Sequence, residues 1–163
     1  MSMARALFTW VSRLSFGRIV VAKADLEANP HAVWNAFLDV IIDPYRILTP
    51  MQRRARLAFL YHSEIYNGGH LQFFLNRGGD SAKTVEALEA LSAFPQAQIL
   101  GQATTRWTSR PRPQRNDVFD YSAMARQGEF DDLDDAFYSC LVPIDDLLKQ
   151  HLGKHEAAYI IRG

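Results

Sequence analysis

The sequence predicts an all-α fold, a single compact multi-helix domain over residues 1–163. Three observations carry that reading. Apolar residues recur at intervals of three and four through most of the chain. Helix start and stop signals such as Thr49-Pro50, Asn67-Gly68-Gly69 and Pro143 fall between those stretches. A chain of 163 residues, 48% hydrophobic, is long enough to bury one core. The single cysteine, Cys140, rules out an internal disulfide framework and a cysteine-based zinc cluster. With no demand for an oxidising compartment, a cytoplasmic location is expected, and no stretch reaches the roughly 18 apolar residues of a membrane span.

In chain order, N-terminal helices are expected over 1–48, a core over 49–153 and an Arg/Pro-rich loop over 104–117. The segment before Asp25 holds four basic residues and no acid, with Leu7, Trp10, Val11 and Leu14 at helical spacing. That pattern suits a core-packing first helix or, over residues 5–23, one lying on a lipid surface. Val33, Trp34, Phe37, Val40 and Ile41 define a buried helix ending before Pro44. Thr49, Pro50 and Gln52 form a capping-box start for the next helix, whose inward face holds Leu57, Leu60, Tyr61, Glu64 and Ile65. Asn67, Gly68 and Gly69 stand where that helix needs a left-handed stop. A hairpin at Asn67-Gly68 is the local alternative, because Leu71, Phe73 and Leu75 alternate with polar residues. Residues 80–94 follow as a helix capped by Asp80 or Ser81, with Pro95 beyond its end. From Phe130 onward helical spacing resumes, divided by Pro143.

Candidate chemistry is sparse. His62, Glu64 and His70 flank the glycines, and His151 and His155 lie one turn apart, but neither set has the spacing of a zinc hydrolase. No metal and no cofactor are expected. Asp131, Asp132 and Asp135 match a magnesium-binding spacing, yet carboxylates also gather at helix starts because they oppose the macrodipole. The Arg106–Arg115 stretch with Trp107 could touch nucleic acid, and equally reads as a solvated loop. Formal net charge is zero, but residues 1–126 hold 15 Lys+Arg against 10 Asp+Glu, and residues 127–163 hold 3 against 8. Glu129, Asp131, Asp132, Asp134, Asp135, Asp145 and Asp146 therefore form a candidate acidic face whose charge density approaches that of duplex DNA.

The stretch "LYHSEIYNGGHLQFFLNRGG", then "AKTVEALEAL", "GEFDDLDDAFY" and "DDLLKQHL", resembles the bacterial DNA-mimic protein family from about Thr49 to His151. Tyr66, Asn67, Gly68, Gly69, Gln72, Phe73, Phe74 and Asn76 are the specific part. The resemblance implies an all-α domain in which residues 70–76 are helical. It also implies non-catalytic work on a protein partner, a DNA-binding transcription regulator, with no direct nucleic-acid contact and with a homodimer among the arrangements allowed. In that frame the glycines let two helices meet, Phe73 or Phe74 enters the core, and Asn67, Gln72 and Asn76 serve exposed backbone at helix ends. The alternative is a small ligand-binding protein or enzyme that gathers Tyr66, Asn67, His70 and Gln72 around the Asn67-Gly68-Gly69 turn.

Overall fold

The structure, a computed structural model, describes residues 17–112 and 118–163, with only the backbone of residues 118 and 119. The expected helix bearing Leu7, Trp10, Val11 and Leu14, and positions 113–117 of the Arg/Pro-rich segment, lie outside the described residues. The fold is all-α. Its elements are β1 (Ile19–Val21), α1 (Lys23–Ala28), α2 (Ala32–Ile42), α3 (Pro50–Arg77), α4 (Ser81–Ala90), α5 (Phe94–Thr108), α6 (Val118–Ala125), α7 (Asp131–Tyr138), α8 (Ile144–His155) and β2 (Ile160–Arg162). The described residues divide into two compact units, one within residues 17–56 and 148–163 and the other within residues 57–147.

In the first unit, β1 and β2 pair in parallel with Ile19 opposite Ile160. The helical reading did not foresee this pair: "IVV" and "IIR" are β-branched but too short to show a period. Phe37, Val40 and Ile41 of α2 are fully buried. Phe37 meets Tyr159 edge to face at 4.8 Å and stacks on Trp34 at 5.2 Å. The capping box forms as its spacing predicts. The Thr49 backbone N–H donates to Gln52 Oε1 at 2.9 Å, and the Gln52 backbone N–H donates to Thr49 Oγ1 at 3.3 Å. Gln52 does more than cap. Its Nε2 donates to the carbonyls of Gly17 at 2.5 Å and Ala158 at 2.7 Å, next to the starts of β1 and β2. Because Gln52 is fully buried, Gln52→Ala leaves these groups without partners, and a loss of about 2–4 kcal/mol is expected in urea denaturation.

His151 adds a pH-sensitive contact to this unit. Its Nε2 accepts the Tyr159 hydroxyl at 2.7 Å. Burial, then His155 and Lys154, push its pKa down to about 4 from 6.5. Between those values the unfolded chain binds the proton and the folded chain does not, so stability falls as pH drops from about 6.5 toward 4. His151→Gln keeps an acceptor for Tyr159 without the titrating ring. A melting series across that window should show a shallower acid slope for the variant.

The second unit buries Tyr61, Ile65, Phe73, Leu88, Leu100, Phe130, Phe137 and Ile144. Ser92, at φ 61°, turns the chain between α4 and α5, and the Ala93 N–H donates to Leu88 O at 2.8 Å. Pro95 stands in the first turn of α5 rather than beyond the end of α4, where its fixed φ suits a helix and its missing N–H costs nothing. Residues 104–108, expected as loop, continue α5. Trp107 supplies the reason, stacking on Phe74 at 5.0 Å and 7°.

Candidate functional site

Within α3 the helix breaks at Gly68 and Gly69, and residues 70–77 are helical again, as the turn reading expects and the hairpin does not. Gly69 has φ 71° and ψ −170°, a region essentially reserved for glycine. A Cβ there would strike the Asp134 carboxylate, and one at Gly68 would come within 2.6 Å of the Tyr121 hydroxyl. Gly69 thus clears the space into which Asp134 of α7 reaches, and Gly68 the space held by Gln72 and Tyr121.

Asp134 closes a buried chain of hydrogen bonds. Its Oδ1 accepts the His70 backbone N–H at 2.9 Å and lies 2.5 Å from His70 Nδ1. An acceptor on Nδ1 places the imidazole proton there, so Nε2 accepts the Tyr61 hydroxyl at 2.9 Å. His70 and Tyr61 are fully buried. Burial, then the Asp134 charge, hold the Tyr61 pKa well above its ordinary value. Sequence reading listed Asp134 among surface acids and His70 among turn residues. One signal was present: Asp134 shares the apolar stripe of Phe130, Leu133 and Phe137.

The other turn residues disperse rather than gather. Gln72 and Asn76 donate to Glu64 Oε2 at 3.1 and 2.9 Å, and Arg77 donates to Oε1 at 2.9 Å. Burial works to raise the Glu64 pKa, and the bonds from Asn76, Gln72 and Arg77 outweigh it, so the pKa is lowered. Glu64 therefore ties the two limbs of the broken helix together. Phe73 and Phe74 both enter the core, at 1% and 5% exposure. Asn67 is exposed. Tyr66 is 59% exposed, with its ring 4.5 Å from His62 and 5.4 Å from Tyr138. Burial lowers the His62 pKa, a nearby Asp145 only partly opposing it.

The seven acidic residues divide by use. Glu129 accepts two bonds from Arg112 at 2.5 and 2.8 Å and one from Arg110 at 2.8 Å. Those bonds, Arg112 first, lower its pKa against the effect of burial. Arg112 also lies 4.2 Å over the Trp107 ring. Asp132 takes a two-point grip from Arg106 at 2.5 and 2.9 Å. Asp134 turns to His70. Asp131 and Asp135, one turn apart on α7, are exposed and form no ion pair among the described residues. Asp146 is exposed and Asp145 half-buried, and both have other interactions.

The cavity touching the glycine break, lined by Gly68, Leu71, Phe130, Asp131 and Asp134, is about 120 Å³, below the roughly 300–1,000 Å³ of ligand pockets. An open groove of about 680 Å³ lies between α5 and the segment after α7, lined by Ile99, Ala136, Cys140, Leu141 and Val142. None of Asn67, Gly68 or Gly69 lines it. Among the described residues, no group of three or more His, Cys, Asp or Glu could hold a metal ion, and no helix is long and apolar enough to cross a membrane.

Fold and site together define a helical domain in which a polar block organises a helix break, with Asp131 and Asp135 exposed on α7. More specifically, the family model described as DMP19-like protein, for DNA mimic protein 19, matches residues 47–160, and the chain belongs to this family. No curated protein and no solved structure matches the chain.

Proposed function

We propose that the protein works without catalysis, by binding a protein partner, and that the partner is a DNA-binding transcription regulator that meets an acidic surface in place of DNA. One observation carries this reading. Residues 57–147 hold 13 Asp+Glu against 7 Lys+Arg, so a chain of zero net charge keeps its acidic excess in one compact unit. The rest of the chain holds the matching basic excess. Family membership supports the same reading, since the family takes its name from DNA mimicry.

The acidic surface is narrower than the sequence suggests. Glu129, Asp132 and Asp134 serve the fold, which leaves Asp131 and Asp135 as the carboxylates of α7 without an ion pair among the described residues. They rise about 6 Å apart along the helix axis, and a cationic partner would be steered to them by charge and held less firmly as salt increases. Asp131→Asn combined with Asp135→Asn should leave folding intact and weaken regulator capture several-fold at low salt. Unchanged capture would remove α7 from the account.

A further inference from the structure

We propose that Tyr66, Tyr138 and Asp135 form a cradle for an arginine side chain of the protein partner. The inference rests on the protein-binding reading above and adds the residue type that is recognised. Tyr66 and Tyr138 remain 59% and 51% exposed although their rings already meet at 5.4 Å and 88°. Both rings are set in place from behind. The Tyr138 hydroxyl donates to Ile65 O at 2.9 Å, and His62 backs Tyr66 at 4.5 Å. Both residues stay more than half accessible, and among the described residues no cation of this chain lies over either ring; Trp107 and Trp34 carry those contacts.

Asp135 stands three residues before Tyr138 on α7, exposed and without an ion pair among the described residues, which places the two side chains on neighbouring surface of one helix turn. A guanidinium is planar, so it can lie against a tyrosine face while giving N–H donors to a carboxylate. A lysine ammonium is a compact point charge and gains less from such an arrangement. Rigid exposed tyrosines are also the residues that most often carry binding energy at protein interfaces. The acidic excess of residues 57–147 fixes the sign of the partner.

The test is calorimetric titration of the full chain at low salt with a short oligo-arginine peptide and with an oligo-lysine peptide of equal length. Arginine should bind about fivefold more tightly, the size expected for a cation held over an exposed ring. Tyr66→Leu, which keeps apolar bulk without a ring, should remove that preference, Tyr66→Phe should retain it, and Asp135→Asn should weaken arginine binding. Equal affinity for the two peptides, or a preference that survives Tyr66→Leu, would overturn the cradle. Neither result bears on DNA-competed capture of a regulator, so the cradle and the broader reading fail separately.

Discussion

Gly69→Ala should destabilise the protein by about 4 kcal/mol. Two costs combine. The backbone at φ 71° and ψ −170° is one that side-chain-bearing residues avoid, at about 1–3 kcal/mol. The new methyl would also occupy the space of the Asp134 carboxylate, so relieving the clash means giving up the bonds to His70. Gly101 is the control: it lies within α5 and a Cβ added there meets nothing within 4 Å. Gly101→Ala should therefore be neutral or stabilise by up to about 1 kcal/mol through helix propensity. Chemical denaturation of the two variants beside the parent decides the point, and equal stability for all three would remove the glycine break from the folding account.

Asp134→Ala is expected to cost about 3 kcal/mol, because the His70 backbone N–H and Nδ1–H lose their common acceptor while the ring stays fully buried. Asp134→Asn separates charge from shape. Its amide oxygen can still accept both bonds, so it should retain most of the stability that alanine loses. Tyr61→Phe should cost only about 1 kcal/mol, since it removes a single donor to Nε2 and keeps the ring that packs on Phe73 and Phe137. That order of losses would place Asp134 in the interior of the fold, outside the surface that meets a partner. A variant Asp134→Asn as unstable as Asp134→Ala would instead show that the negative charge itself is required.

Much of this architecture was legible in the residues. Thr49 and Gln52 announced a capping box because that motif is local, four residues long, and needs no tertiary partner. Gly68 and Gly69 announced a helix break for the same reason. What the sequence hid depends on distance along the chain. His70 and Asp134 are 64 residues apart, as Arg106 and Asp132 are 26 apart, and no periodicity connects them. The sequence reading thus took acids already engaged by arginine or histidine for an open face. Strands β1 and β2 were missed because three residues cannot display an alternation. Cys140 lies half-buried on a groove, at a point where α7 has already ended.

The division of charge gives the neutral composition a physical meaning. Summed over 163 residues, acids and bases cancel; separated by unit, they do not. A partner approaching within a Debye length, about 8 Å at physiological salt, responds to the nearer surface and not to the total. Net neutrality is for that reason compatible with an acidic recognition surface.

The most direct test of the central claim is capture of a partner from native lysate on the immobilised full chain, with duplex DNA added as competitor at low and moderate salt. The account predicts that a DNA-binding regulator is retained, that duplex DNA displaces it, and that Asp131→Asn with Asp135→Asn retains less of it. A regulator that stays bound in the presence of excess duplex, or no DNA-binding protein retained at low salt, would contradict it.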